Sequence, residues 1–505
     1  MSFGGGSGSS SIAGSTDVVI NSPANNQVLG YNTSLAKWQN QTPGTSSSDF
    51  MNVLSVGVVG NGTTDDTAAI NAAITANPGK VLLFPSGKTY RIITGQGGDN
   101  DHSGGIKLNQ AGTTLWCYGA TFVMDTSTFQ HYQMVDVTAA DCAVYGGKFV
   151  GDVVAHTGTA GEWGYGIAIG AGADRFKAQD VYAKYCWGDG FFIWERPSDV
   201  SLTNCIADNN RRQGLSIIDA IRPRVVGGAY INTGVAKYTG PAGGIDIEPD
   251  PGSPRDVIDA IISGVLLAGN LGPGLRTSSN TRTVTATITG CRAVGNGNSA
   301  EAAFDTVGAN NLTTFTACEA INNTKYGFLV ASDVTGTKLN GCTVQLNAHY
   351  GIIDNGTDTV ITGCVVENNA GSGMFLGGAS TTMSGVMFKG NCSTGAAGNV
   401  QVDIYGTNAT LAGVTSLAGT NVTKPNYGFA VRSGATGARL LGCDATGAFA
   451  SGPFIDQTAG TTAVTLPKPG TARAGAISTP TSDTVGTKAA IDAIRAALIA
   501  NGITL

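Results

Sequence analysis

Three glycines, Gly166, Gly190 and Gly214, stand 24 residues apart, and each opens a short apolar run: Ile167-Ala-Ile, Phe191-Phe-Ile and Leu215-Ser-Ile. Two further turns carry extra residues before the same glycine, giving Gly244-Ile-Asp-Ile-Glu and Gly274-Leu-Arg-Thr. A second series lies nine residues ahead: Val181, Cys205, Val265, Cys318, Cys342 and Cys364 precede Gly190, Gly214, Gly274, Gly327, Gly351 and Gly373. Five residues into that series comes an asparagine, at Asn210, Asn270, Asn323, Asn347 and Asn369, with Asn296 and Asn391 matching in neighbouring turns. A period of this length is the mark of stacked repeats, each touching only its neighbours.

The repeat also selects the kind of stack. Its runs are short and β-favouring, are separated by Gly and Asn, and show no helical periodicity. Asn tolerates the left-handed backbone region, so a column of Asn suits a tight corner repeated on every coil, and stacked amides can bond along it. The Cys, Val, Ile and Leu columns then point inward. The reading is an all-β chain folded as a parallel β-helix. A β-sandwich is the alternative, and it gives no reason for Asn in the same register on every coil.

Composition narrows the function classes. Glycine is 74 of 505 residues and charged residues are 13%, as turn-rich coils require. A net charge of −6 offers no surface for a polyanion, so nucleic acid is not an expected partner. No apolar run reaches membrane-spanning length, so no membrane insertion is expected. The first residues have neither a basic nor an apolar region of the secretory kind, so no signal peptide is expected. Of the ten cysteines, Cys205, Cys291, Cys318, Cys342, Cys364 and Cys443 fall in the inward column, and no CxxC pair occurs. They read as small hydrophobes, with no metal and no cofactor implied. His102, His131, His156 and His349 are scattered and read as surface or turn residues.

Four segments follow in order. Residues 1–48 are rich in Gly, Ser, Asn and Thr, with a flexible leader over 4–11. Within them, Pro23, Gln27-Val-Leu29, Tyr31 and Lys37-Trp38 resemble a segment found near the N-termini of phage tail fibre proteins. A plain β-hairpin linker is the alternative. Residues 49–95 contain Gly60-Asn-Gly-Thr-Thr-Asp-Asp-Thr-Ala-Ala-Ile-Asn-Ala-Ala-Ile74 and Val81-Leu-Leu-Phe-Pro-Ser-Gly-Lys-Thr-Tyr-Arg-Ile92. This stretch is similar to the opening segment of the pectate-lyase-like superfamily, which implies a right-handed parallel β-helix whose open end a helix caps. Thr64 or Asp65 suits the helix cap, and Ala68, Ile70, Ala73 and Ile74 supply its apolar face. Residues 96–455 form the β-helix body, with about fourteen coils at the repeat length. Residues 456–505 end in a helix over 486–502, with Ile491, Ile494 and Leu498 on one stripe. That helix is too short to stand alone. The likeness to phage tailspikes implies a C-terminal assembly element and a homotrimer.

Candidate site residues come from the register. In each strand after the repeat glycine, positions one and three point inward and positions two and four outward. Position two on successive coils reads Ala168, Phe192, Ser216, Asp246 and Arg276; position four reads Gly170, Trp194, Ile218, Glu248 and Ser278. The stretch before each glycine adds Trp163 and Tyr165, then Trp187 and Asp189, then Arg211, Arg212 and Gln213. Large aromatics beside carboxylates and arginines suit a sugar, whose C–H faces stack on rings and whose hydroxyls or carboxylates take the charged groups. Asp246 and Glu248 share one strand face and are the expected acid and base, with Asp219 and Asp189 next in line. The insert between Tyr230 and Gly243, carrying Lys237 and Tyr238, is expected to form a loop over them. In a lyase, Arg212 or Arg276 would neutralise a uronate carboxylate, with Lys237 or Tyr238 as base. A solvated strand face, with the carboxylates paired to Arg212 and Arg276, is the bland reading of the same residues.

Together these features are identified as those of a phage tailspike or tail fibre protein. The resemblance implies a tail component of the virion that recognises, and as an enzyme depolymerises, a host surface polysaccharide, and that joins the tail or baseplate through its N-terminus. A glycan-binding adhesin without activity is the alternative; a bacterial polysaccharide lyase or epimerase fits less well with the missing signal peptide.

Overall fold

The computed structural model describes residues 16–20, 22, 27–41, 49–95, 104–251, 255–297, 302–394, 399–420, 423–458 and 463–464. The expected leader over 4–11, the helix over 486–502 and His102 lie outside these residues.

Near the N-terminus, Val28–Asn32 and Lys37–Gln41 form an antiparallel hairpin, and Val18–Val19 adds a parallel strand. The Asn32 side chain accepts from the Ser34 and Leu35 amides and closes the turn. Tyr31 meets Trp38 edge to face at 5.4 Å.

The helix Thr67–Ala76 then buries Ile70, Ala73 and Ile74. Ala68 is exposed and Ala69 packs inward instead, because Ala69 stands one turn before Ala73 on the buried face while Ala68, two residues from Ile70, points away from it. Asp66 is the buried cap residue, and its carboxylate accepts from the Val59 and Gly60 amides while Asp65 accepts from Thr67. Asn71 shows how the helix closes the stack. Its amide donates to Gly105 O at 2.7 Å and accepts from Lys107 N at 2.8 Å, on the first strand of one sheet. An edge that would otherwise present unpaired backbone is thereby covered.

The body is a parallel β-helix of three sheets. One runs by successive pairings from Phe50–Asn52 to Ala463–Val464, a second of 15 strands from Asn61–Asp65 to Asp444–Thr446, and a third of 14 strands from Ile106–Leu108 to Gly452–Asp456. One coil is Ser201–Thr203, Ile206–Asp208 and Gln213–Ile217, one strand from each sheet. The repeat glycines open the third sheet and need their lack of a side chain. A Cβ on Gly214 would sit 2.4 Å from Gly244 O, and one on Gly351 would sit 2.5 Å from Val366 Cγ1.

The asparagine column is a buried hydrogen-bond ladder. Asn270, Asn296, Asn323, Asn347 and Asn369 each donate from Nδ2 to the Oδ1 of the next, at 2.8–3.1 Å, ending on Asn391. Each Oδ1 also takes the backbone N–H of the residue before it in the ladder, as Asn369 Oδ1 does from Asn347 N at 3.0 Å. The left-handed backbone expected of these asparagines belongs to the residue before each: Asn209, Gly269, Gly295, Asn322, Leu346, Asn368 and Gly390 all have positive φ. The corner therefore divides the labour. One residue makes the bend, and the next turns its amide inward to satisfy neighbouring backbone.

All ten cysteines are free and buried. Several thiols donate to a carbonyl one coil back, such as Cys205 to Ala178 O at 3.5 Å. Burial pushes the Cys205 thiol up to about 12, which leaves it unreactive. Contrary to expectation, His131 and His156 are buried, at 8% and 5% exposure; His349 is exposed. No described helix is long and apolar enough to cross a membrane.

Candidate functional site

The register places the site. Along the third sheet, Ala168, Phe192, Ser216, Asp246, Arg276 and Asp305 pair in sequence, one per coil. Positions one and three of these strands belong to the main core, whereas Tyr165, Ala168, Phe192, Trp194 and Ile218 form a separate apolar cluster with Trp163 against it. Side chains that alternate to the outer face have thus built a small second core outside the helix.

That cluster walls a cleft of about 310 Å³. Trp163, Tyr165, Phe192 and Trp194 line one part, and Arg212, Ile218, Asp250 and Arg255 the rest. The rings use much of their faces on one another: Tyr165 stacks on Phe192 at 4.1 Å and 4°, and Trp163 on His131 at 4.1 Å and 14°. Tyr165, Phe192 and Trp194 are accordingly below 10% exposed. They shape and dry the wall, and the polar edge of the cleft is left to Arg212, Asp250 and Arg255.

Beneath the wall lies a cluster of buried acids. Asp189, 0% exposed, accepts from Ser216 Oγ at 2.8 Å and faces Arg212 Nη1 at 3.5 Å. Arg212 reaches Glu162 with Nε at 3.1 Å. Asp246, 1% exposed, accepts from Gln213 Nε2 at 2.7 Å, and the other end of that amide accepts from Gly243 N. Asp189 Oδ1 and Asp246 Oδ1 are buried without a hydrogen-bond partner. Burial raises Asp189 to about 6, against the pull of Arg212 and Ser216. Burial, reinforced by Glu248, drives Asp246 well above the carboxylate range. Glu248 is half-buried beside Ile218 in the outer column, where Asn280 Nδ2 donates to it at 3.3 Å. Asp250 is open, paired to Arg255 at 2.7 Å. Asp246, Glu248 and Asp250, two residues apart, thus step from buried to exposed, and of the three it is Asp250 that lines the cleft.

Other expected residues fall elsewhere. Trp187 is fully buried, because its corner folds the indole under the coil, where His156 stacks on it at 3.6 Å. Arg211 lies over that indole at 3.9 Å and donates to Gly161 O, and Lys237 lies 4.5 Å from the same ring. The insert therefore clamps Trp187 and does not roof the cleft. Tyr238 is 54% exposed and is not among the residues lining the cleft. Asp219 sits at the next corner, accepting from Arg196 Nη1 and the Asp256 amide at 3.2 Å each, with burial raising it. Arg276 is taken by Asp305, through Nε at 3.1 Å and Nη2 at 3.0 Å, so it is not the direct partner of Asp246. Glu162 and Arg255 were not singled out from the sequence, and Asp250 drew notice there only as a weak cation ligand beside Asp246 and Glu248. The i, i+2, i+4 run of acids from Asp246 was the available sign for Asp250; Arg255 carried none. Another cleft, of about 300 Å³ over residues 124–129, has Asp125 as its charged residue, already held by Arg91.

Comparison with known proteins follows this geometry. A family profile described as right handed beta helix region matches residues 256–444. The chain is a right-handed parallel β-helix. A second profile, described as rhamnogalacturonase A/epimerase, pectate lyase-like, matches residues 50–95 at the capped end of the β-helix. No curated protein sequence matches significantly. Among solved structures, this β-helix is similar to a mannuronan C-5 epimerase A-module of Azotobacter vinelandii, with 17% identity over 84% of this chain and 100% of that one, TM-score 0.44. It is also similar to the tailspike of E. coli bacteriophage HK620, solved with a hexasaccharide, with 12% identity over 87% and 84%, TM-score 0.49. Tailspike protein 3 of bacteriophage CBA120 gives 12% identity over 85% and 64%, TM-score 0.48.

Proposed function

We propose that this β-helix is a phage tail protein that binds an acidic surface polysaccharide in the cleft and cleaves it there. The observation that carries the reading is the graded run of acids, from buried Asp246 to half-buried Glu248 to exposed Asp250, whose exposed end lines the cleft with Arg212 and Arg255 opposite an aromatic wall. A carboxyl held neutral by burial is a proton donor at neutral pH, and a second carboxyl on the same face serves as base or nucleophile. In this reading Asp246 donates and Glu248 takes the second role. Gln213 orients Asp246, and Asp189 holds Arg212 toward the cleft. Arg212 and Arg255 meet the carboxylates of the polymer. The N-terminal segment that resembles tail fibre proteins supports attachment to a virion, and three copies are the assembly that likeness implies.

One observation favours a second reading, a glycan-binding adhesin without activity: Asp246 is only 1% exposed and already bonded. Incubation of the purified chain with polygalacturonate, alginate and surface polysaccharides of bacterial hosts separates the two. New reducing ends without an unsaturated product mark hydrolysis by the carboxyl pair. Reducing ends with the ultraviolet absorbance of an unsaturated uronate mark a lyase, and move the base away from Asp246. Binding with neither signal sinks the enzyme reading.

A further inference from the structure

Seven coils beyond Tyr165 along the third sheet, a similar aromatic diagonal appears, spread over three coils instead of two. In the cleft it runs from the position before the glycine (Tyr165) to position two of the next coil (Phe192), and then to position four (Trp194). In the second place it runs from Tyr350, before Gly351, to Phe375 at position two of the next coil, and to Tyr405 at position four of the coil after. Tyr350 and Phe375 lie 6.1 Å apart, and Phe375 stacks on Tyr405 at 5.1 Å. Tyr326 extends the row by one coil, 6.0 Å from Tyr350. Gly377 makes the arrangement possible, because a Cβ there would come within 2.8 Å of Phe375 Cε1.

Two features separate this ridge from a fragment of core. Its rings are open: Tyr405 is 43% exposed, and Tyr326, Tyr350 and Phe375 are half-buried. Its ends are basic, with Lys325 Nζ 4.7 Å from the Tyr326 ring and Arg432 5.7 Å from the Tyr405 ring. Arg432 also holds Asp403, as Arg255 holds Asp250 in the cleft.

We infer that the Tyr350–Phe375–Tyr405 ridge is a second, non-catalytic binding site for the same acidic polysaccharide, engaged by a chain long enough to reach it from the cleft. This rests on the proposed function and adds a length requirement to it. Seven coils at about 4.8 Å each place the sites about 34 Å apart on one face. The rings offer apolar surface to sugar C–H groups, and Lys325 offers charge to a uronate carboxylate. Between the sites the outer column carries Arg276, Asp305, Leu329 and Ile353. Two linked sites on one polymer raise its affinity far more than that of a fragment filling only one.

The test uses the full chain, with Tyr350→Ala, Tyr405→Ala and Arg255→Gln as separate variants. Binding to polygalacturonate and alginate is measured as polymers and as short oligouronides, with dextran as the neutral control. The expected result is a loss on the order of 100-fold in polymer affinity for Tyr405→Ala and Tyr350→Ala, with oligouronide affinity unchanged. Arg255→Gln should weaken both. Polymer affinity unchanged in both ridge variants, with Arg255→Gln still weakened, overturns the second site and leaves the proposed function standing. No binding of either polyuronate or of the host surface polysaccharides by the unaltered chain overturns both. A change in oligomer mass for Tyr405→Ala, by light scattering, would assign the ridge to contact between copies and overturn its role as a glycan site.

Discussion

Two stretches of one sheet carry similar aromatic diagonals and treat them differently. At Tyr165–Phe192–Trp194 the rings are buried against one another, near the buried Asp189 and the cleft-lining Arg212. At Tyr350–Phe375–Tyr405 the rings are open, and the nearest acid, Asp403, is held by Arg432. A buried acid without enough partners is poised to exchange a proton; an open ring beside a satisfied ion pair is suited to adhere. The same sheet supplies both platforms, and what each coil stacks on them decides whether the result resembles a reactive site or a grip.

The contrast is sharpest in stability. Arg212→Ala leaves Asp189 buried without its cation, which should cost about 3–5 kcal/mol in urea unfolding. Phe192→Ala opens a hole in the outer cluster and should cost about 3 kcal/mol or more. Phe375→Ala, half-buried, should cost clearly less. Tyr405→Ala should fall within about 0.5 kcal/mol of the unaltered chain, as exposed substitutions do. Equal losses for Phe192→Ala and Phe375→Ala would erase the distinction between the two regions.

The acids add a pH signature. Asp189 binds its proton more tightly folded, at about 6 against an ordinary 3.8, so the folded state holds more protons between those values. Its contribution to stability is fully present below about pH 4 and is lost as pH rises through about 6. Asp189→Asn should therefore remove that fall, on the order of 3 kcal/mol, from denaturation midpoints followed across this window. An unaltered pH profile in the variant would place Asp189 in contact with water.

Much of this was legible in the chain. The glycine spacing gave the coils, and the columns gave which side chains face in: Leu215 and Ile217 are in the core, and Ser216 and Ile218 are outside it, as alternation requires. The corners were not legible. Trp187 precedes its glycine as Trp163 does, yet one folds under the coil and the other lines the cleft, because Trp163 begins a strand paired to His131 while Trp187 lies in a corner ahead of its strand. The asparagine ladder misled in a similar way, since bend and ladder are adjacent residues and only the ladder shows as a column. Burial of outward acids was also hidden, because the groups covering Asp246 come from other coils, such as Gln213, 33 residues away. The second diagonal was missed because Tyr350, Phe375 and Tyr405 occupy three different columns on three coils, and no single column shows them.

The central claim is that the carboxyl pair beneath the cleft reacts, while the open ridge only holds. Product release from a polysaccharide that the chain degrades, compared between the unaltered protein and Asp246→Asn with Glu248→Gln, tests it most directly. The expected result is a fall of about 10³-fold or more in the rate of new ends, with polymer binding through the ridge retained. Product release at the unaltered rate would contradict the claim and move the chemistry away from this cleft.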